Sequence, residues 1–383
     1  MGNCMNKDND KNIVAFIICS NNEQYLQECI RYLSFLKVPE GIETDVITIQ
    51  DAKSMASGYQ AAMTESDAKY KVYLHQEVFI LNENFISDCI KIFQEYPEYG
   101  LLGVVGSDKR ITDAAYWDKW NLGAVDACNS DGAMRLKLDG AICDNKQKSV
   151  KKADAIDGLI MITQYDVNWR EDIFHGFDFY DISQSMEFQK AGYQVGVICQ
   201  DIPWCYHDCG FSKLFEYDKE RKVFCDTYKE EGFTYQTYQP LEDTCRRNKK
   251  AEAAVAEVEQ CLIKHQAEQA KEMAEDIRKR GAFHTRLMLL SILSDISEAQ
   301  KNKKVQGFDF ENDTVDELIQ KYNYYKFFLR RLEYEKPYED MMDVAEWIRV
   351  CDLSFDVGCI VSEHSIMKFV KVAEKINLIL QKD

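Results

Sequence analysis

Asn12 to Ser20 reads NIVAFIICS, a run of Val, Ile, Phe and Ala with no polar break before Ser20. An unbroken β-branched and aromatic run is what a strand covered on both faces of a parallel sheet requires, because such a strand has no solvent side. Working outward, Asn21 and Asn22 make a polar turn. Leu26, Ile30, Leu33 and Leu36 then recur at helical spacing within Glu23–Leu36. Asp45–Gln50 (DVITIQ) reads as a second strand and Lys53–Ser66, with Tyr59, as a second helix. Lys71–Ile80 (KVYLHQEVFI) starts as a third strand and breaks into polarity at His75-Gln76-Glu77. Strand, helix, strand, helix, strand predicts an α/β fold with a doubly wound, mostly parallel sheet. Ligands bind such sheets at the carboxyl ends of the strands. The polar groups at those ends are Ser20-Asn21-Asn22, Asp51 and His75-Gln76-Glu77.

Further along, Leu101–Val105 is a short apolar strand, Tyr116–Gly123 (YWDKWNLG) an aromatic loop, and Ala155–Ile162 a strand interrupted by Asp157-Gly158. Phe174–Gln184 (FHGFDFYDISQ) leads into an amphipathic helix with Ser185, Phe188 and Ala191. Val195–Cys199 is a strand, and Trp204–Gly210 (WCYHDCG) closes the α/β portion. Near residue 240 the composition turns to Ala, Glu, Lys and Gln, and Val255, Val258, Leu262, Ala270, Met273 and Ile277 repeat near helical spacing up to a break at Gly281. Phe283–Ile296, Leu318–Tyr334 behind a Thr314/Glu317 capping box, Tyr338–Val350 and Ser362–Leu380 complete an all-α half. The expected organisation is a flexible tail over 1–11, an α/β domain over 12–240 and a helical domain over 241–383.

The 383 residues are 46% hydrophobic and carry a formal net charge of -18. So acidic a chain lacks the clustered Lys and Arg that nucleic acid demands. An anionic substrate therefore needs a local remedy such as a cation held by carboxylates. The 14 cysteines are scattered, with no CxxC pair and with Cys205 and Cys209 the nearest two. Free buried thiols in a reducing cytoplasm are expected. No apolar run approaches the ~20 residues of a membrane span. The opening Met-Gly-Asn-Cys-Met-Asn has Asn6 where an acylation signal prefers Ser or Thr, so it reads as a tail.

Three elements could carry chemistry. His75-Gln76-Glu77 ends a strand and offers one acid to a divalent cation beside phosphates, or is an ordinary surface turn. In Phe177-Asp178-Phe179-Tyr180-Asp181-Ile182-Ser183 the acids sit among aromatics just before a helix. Asp181 is there a general base for an acceptor hydroxyl, or a helix cap. His207, near Trp204 and Tyr206, is a ligand for a Mn-type ion or a structural histidine.

Together, Ala68–Val78 (AKYKVYLHQEV), Gly103–Gly106 (GVVG), Phe177–Ser185 (FDFYDISQS) and Trp204–Asp208 (WCYHD) resemble glycosyltransferase family 2, in particular the domain type of streptomycin-biosynthesis glycosyltransferases. The resemblance covers about residues 12–230. It implies a GT-A fold, a nucleotide-diphospho-sugar donor, often UDP-linked, and inverting transfer to a saccharide or other hydroxyl acceptor with Mn2+ or Mg2+. By that resemblance Glu77 stands where the family has a metal-binding Asp, His207 completes the metal or diphosphate site, and Asp181 is the base. Asn22, Asp51, Lys53 and Ser54 hold the nucleotide, and His75, Gln76 and Asp157 join them on the donor side. Gln60 stands where an Asn is expected. The alternative is a catalytically silent sugar-nucleotide-binding or scaffold protein whose helical half binds partners or self-associates. A nucleotidyltransferase would need a Gly-rich, basic phosphate loop, which the sequence lacks.

Overall fold

The computed structural model describes residues 10–116, 119–129, 132–138, 149–207, 216–237, 253–279 and 308–319, with isolated positions between 290 and 322. The chain divides into two units, residues 1–126, 135–207 and 214–241 in the first, and 127–134, 208–213 and 242–383 in the second.

The first unit is a mixed α/β structure. Strand β1 (Asp10–Ser20) pairs in parallel with β2 (Glu43–Gln50) on one side and β3 (Ala68–His75) on the other. Val14 to Ile18 are at most 3% exposed, which is why the run carries no polar residue. Between these strands lie α1 (Glu23–Leu33) and α2 (Met55–Glu65). Asn22 starts α1: its Oδ1 accepts from the Tyr25 N–H at 3.2 Å. Ser54 starts α2 through a reciprocal capping box with Ser57. Buried Tyr59, Ala62 and Met63 turn one face of α2 to the interior.

The later elements are β4 (Val78–Ile80), α3 (Phe85–Glu95), β5 (Tyr99–Gly103), β6 (Val105–Ser107), β7 (Leu122–Asn129), β8 (Gly132–Lys137), β9 (Val150–Ala153), β10 (Ala155–Ile156), β11 (Ile160–Thr163), α4 (Tyr180–Lys190), β12 (Gln194–Ile198), β13 (Cys205–His207) and α5 (Tyr217–Thr227). The main sheet has the order β2-β1-β3-β11-β5-β12-β9. Its half built by the first 75 residues is parallel, whereas β11 runs antiparallel to both β3 and β5, and β9 antiparallel to β12. A second sheet has the order β10-β6-β7-β13-β4, with β8 on β7.

Three expected strands are each divided between sheets or pairings. Lys71–Ile80 becomes β3 and β4, separated by a turn at Gln76-Glu77; Leu101–Val105 divides into β5 and β6 at Val104; Ala155–Ile162 divides into β10 and β11 at Asp157–Leu159. The first of these divisions builds the site, because the chain leaves the main sheet where the polar triplet begins. Beyond Gly210, α5 still belongs to the first unit: Phe224 and Tyr217 pack on Phe179 with ring centroids 5.4 and 4.8 Å apart. Residues 81–100, where no element was expected, hold α3, whose buried Phe85, Ile86, Cys89, Ile92 and Phe93 are spaced as a helix face.

In the second unit, residues 253–263 are helical and a further helix spans Ala267–Lys279. The expected continuous helix is thus interrupted earlier than Gly281, at His265, whose φ of 57° is left-handed. The Thr314/Glu317 capping box is present: Thr314 N–H donates to Glu317 Oε2 at 2.8 Å and Glu317 N–H to Thr314 Oγ1 at 3.3 Å. The expected tail over 1–11 gives way to β1 from Asp10; its residues 1–9, most of Phe283–Ile296 and of Leu318–Tyr334, and the helices at Tyr338–Val350 and Ser362–Leu380 lie outside the described residues. Among the described residues no helix is long and apolar enough to cross a membrane.

Candidate active site

Because β1, β2 and β3 are parallel and in register, with Ser20 opposite Gln50 and Cys19 opposite His75, their carboxyl ends open on one edge of the sheet. A cleft of about 280 Å³ lies there, lined by Cys19, Ser20, Asn21, Asp51, Ala52, Met55, His75, Gln76, Glu77 and Phe177. Gln76 sets its floor. Its Oε1 accepts from Ser20 Oγ at 2.9 Å, from Asn21 N–H at 3.1 Å and from Asn22 N–H at 2.9 Å, while its Nε2 donates to Asn21 Oδ1 at 2.8 Å. One side chain thus ties the end of β1 to the end of β3. Across the cleft, Met55 N–H donates to the Gly176 carbonyl at 3.0 Å, and this brings Phe177, 54% exposed, onto the rim.

At the inner end, β4 and β13 pair antiparallel with His207 opposite Val78. That register brings His207 against Glu77, and the turn after β3 brings His75 to its other side. His75 Nδ1 lies 3.4 Å and His207 Nε2 3.9 Å from Glu77 Oε1. All three ligand atoms lie within 4.8 Å of one another. Both of these imidazole nitrogens are buried and have no hydrogen-bond partner. Burial alone would raise the Glu77 carboxyl, but the close approach and charge of His207 and His75 outweigh it and hold the group well below the usual carboxylate range. Burial would lower the His75 imidazole, and Glu77, with Asp157 and Asp181 behind it, outweighs that and raises it. Two imidazoles and one carboxylate converging this closely fit a divalent cation: ligand atoms about 2.1 Å from an ion stand about 3–4 Å apart.

Asp181 lies in the first turn of α4. Its Oδ2 accepts from the Gly158 N–H at 2.9 Å and its Oδ1 from the Ile182 N–H at 2.8 Å. Burial, then the neighbouring charge of Asp157, push its carboxyl up to about 7 against those two bonds and the charge of His75. A carboxylate so raised is a competent base near neutrality. The helix N-cap is Phe179, not Asp181; Phe179 stands in the left-handed region at φ 61°. Asp157 itself closes a short turn, its Oδ1 accepting from Leu159 N–H at 3.0 Å. Asp178 is pushed up to about 6 by burial, then by Glu220 and Glu216.

Of the residues singled out in the sequence, Glu77 and His207 meet, His75 joins them while also lining the cleft, and Asp181 lies on the neighbouring helix. Asp51 and Lys53 are exposed beside the cleft, with Asp51 in the left-handed region at φ 56°. Ser54 is not available to a ligand: it is buried and engaged in the cap of α2. Asn22 and Gln76 shape the loop through the bonds above. Gln60 braces the wall, its Oε1 accepting from Trp169 N–H at 2.9 Å. Two residues of the site have no signal in spacing or composition. Tyr180 hydrogen-bonds through its hydroxyl to His75 Nε2. Gly158 leaves room for that phenol: a Cβ there would lie 2.1 Å from Tyr180 Oη.

Residues 15–228 match the glycosyltransferase-like family. The chain belongs to that family. Glycosyl transfer is accordingly its enzyme class. No curated protein sequence matches this glycosyltransferase. Among solved structures it is similar to Staphylococcus aureus TarS residues 1–349 in complex with UDP (8% identity over 78% of this chain and 94% of that one, TM-score 0.37). It is similar also to the mannosyltransferase PcManGT of Pyrobaculum calidifontis in complex with GDP-Man and Mn2+ (9% identity, 64% and 71%, TM-score 0.38). A third is a Drosophila β-1,4-galactosyltransferase 7 mutant with manganese, UDP-Gal and xylobiose (13% identity, 60% and 83%, TM-score 0.33).

Proposed function

We propose that this glycosyltransferase is metal-dependent and inverting, moving a sugar from a nucleotide-diphospho-sugar, with UDP as the favoured nucleotide, to a hydroxyl of a saccharide or similar acceptor. The observation that carries the reading is the convergence of two imidazole nitrogens without hydrogen-bond partners on the Glu77 carboxylate beside the cleft. His75 Nδ1, Glu77 and His207 Nε2 would hold Mn2+ or Mg2+. A bound divalent cation supplies positive charge that offsets the negative charge growing on the departing diphosphate.

The chain's own groups do the rest. Asn22, Asp51 and Lys53 border the mouth of the cleft, where they would meet the nucleotide, and Gln76 keeps that loop in place. Asp181 takes the proton from the acceptor hydroxyl as its oxygen attacks the anomeric carbon. The carbon–oxygen bond to the diphosphate breaks on the opposite face, so one displacement inverts the centre. The streptomycin-biosynthesis subgroup is the finer assignment that the four motifs support. Residues 12–240 would bind donor and catalyse, while 241–383 form a separate helical domain for acceptor recognition or self-association. Free thiols such as buried Cys29, Cys89 and Cys205 fit a reducing cytoplasm.

A catalytically silent binding protein is the second reading. It is favoured by one observation: Glu77 already faces two imidazoles, and such a triad can hold its charge without a metal. Turnover of a panel of nucleotide-sugars against saccharide acceptors, with Mn2+ present, separates the two. Transfer from at least one donor is expected, and nucleotide-sugar binding without transfer or hydrolysis across the panel would favour the silent protein.

A further inference from the structure

The two nitrogens of His75 have different surroundings. Nε2 is hydrogen-bonded to the Tyr180 hydroxyl, and Nδ1 is buried without a hydrogen-bond partner, 3.4 Å from Glu77. An imidazole can be turned over about its side-chain axis, which exchanges its nitrogen and carbon edges. A hydroxyl fixed on Nε2 removes that freedom, and the Tyr180 hydroxyl is fixed. Its residue opens α4 and is 4% exposed. Its ring meets Tyr59 edge-on at 5.8 Å and Trp169 at 6.3 Å. Its oxygen fills the space where Gly158 has no side chain.

We propose that Tyr180 is a positioning residue that fixes which edge of His75 faces the cation, making Nδ1 the ligating nitrogen. The proposal rests on the cation reading given above and adds to it. A phenol hydroxyl suits the task because it both donates and accepts. With a cation on the Nδ1 lone pair, the neutral imidazole carries its proton on Nε2 and donates it to Tyr180 Oη. Without a cation, Nδ1 can carry the proton toward Glu77, and Tyr180 turns its own hydrogen onto Nε2. Nε2 keeps its partner in either state. Groups that orient a metal-ligating histidine in this way set its affinity for the ion. Tyr180 precedes Asp181 directly, so the first turn of α4 positions a cation ligand and the base together.

The test is binding of Mn2+ alone to the full chain, followed through the electron paramagnetic resonance of free Mn2+. The wild type should bind, and Glu77→Gln should abolish binding. Tyr180→Phe keeps the ring and should weaken binding about 10- to 100-fold. Tyr59→Phe removes a neighbouring buried hydroxyl, one that donates to the Leu74 carbonyl at 3.3 Å, and should leave affinity unchanged. Absence of Mn2+ binding in the wild type overturns the cation site itself. Binding in the wild type that Tyr180→Phe leaves unchanged overturns the role of Tyr180 alone. Where Tyr180→Phe does not fold, nitrogen-15 spectra of the wild-type imidazoles decide: added Zn2+ should shift His75 Nδ1 and leave Nε2 protonated, and ligation through Nε2 refutes the assignment.

Discussion

Replacing Asp181 by Asn removes one ionisation and one hydrogen-bond acceptor while keeping the shape. The carboxylate accepts two backbone N–H groups, from Gly158 and Ile182. An amide can satisfy only one of them, since its NH2 would face the other, and a buried donor left without a partner costs about 1–3 kcal/mol. Against that stands the electrostatic cost of the wild-type carboxylate. The gap between 3.8 and about 7 is worth about 4 kcal/mol at about 1.36 kcal/mol per power of ten. Because the folded value is raised, the stability contributed by the protonated Asp181 is complete below about 4 and is lost as pH rises through about 7. The wild type should therefore lose stability relative to Asp181→Asn between pH 4 and pH 7, read by melting curves across that range. Turnover should move the other way. The base works as the carboxylate, so wild-type kcat should climb to a plateau above about 7. The Asn variant should lose that ascending limb and about 100-fold or more in rate. An Asn variant with wild-type turnover, or with the same ascending limb, refutes the assignment of Asp181 as base.

Gln76→Ala removes the acceptor shared by Ser20, Asn21 and Asn22; it should lower stability by about 1 kcal/mol and weaken nucleoside diphosphate binding in a calorimeter, and Gln76→Glu, which keeps the acceptors, should lose less. Gly158→Ala places a methyl group 2.1 Å from the Tyr180 oxygen, so folding stability should fall by about 1–3 kcal/mol and Mn2+ affinity should fall with it. Retention of both by the Ala variant would show that Tyr180 and His75 can shift without loss.

The parallel half of the main sheet was legible because the chain from Val14 to Ser20 is buried and carries no polar residue until Ser20 at the cleft. The strand ends were legible for the same reason: His75-Gln76-Glu77 and Gln50-Asp51 are polar groups that follow runs rich in apolar residues. What spacing could not reveal is long-range. Gln76 resembles a donor-binding residue but braces a loop 54 to 56 positions away. His75 meets His207 only through the pairing of β4 with β13. Ser54 followed by Ser57 forms a capping box without the acid or amide that usually marks one, so its role in α2 was hidden. The antiparallel placement of β11 depends on its two neighbours, since a short apolar run pairs in either direction. Asp181 was legible as an acid among aromatics; its bond from the Gly158 N–H depends on the Asp157-Gly158 turn folding against α4.

The cation site is tested most directly by titrating UDP into the wild-type protein in a calorimeter, once with Mn2+ and once with a chelator. His75, Glu77 and His207 at the end of the cleft lead us to expect binding tighter by about tenfold or more with Mn2+, which is about 1.4 kcal/mol, and loss of that advantage in Glu77→Gln. Equal affinity in the two titrations of the wild type would contradict the metal-dependent account.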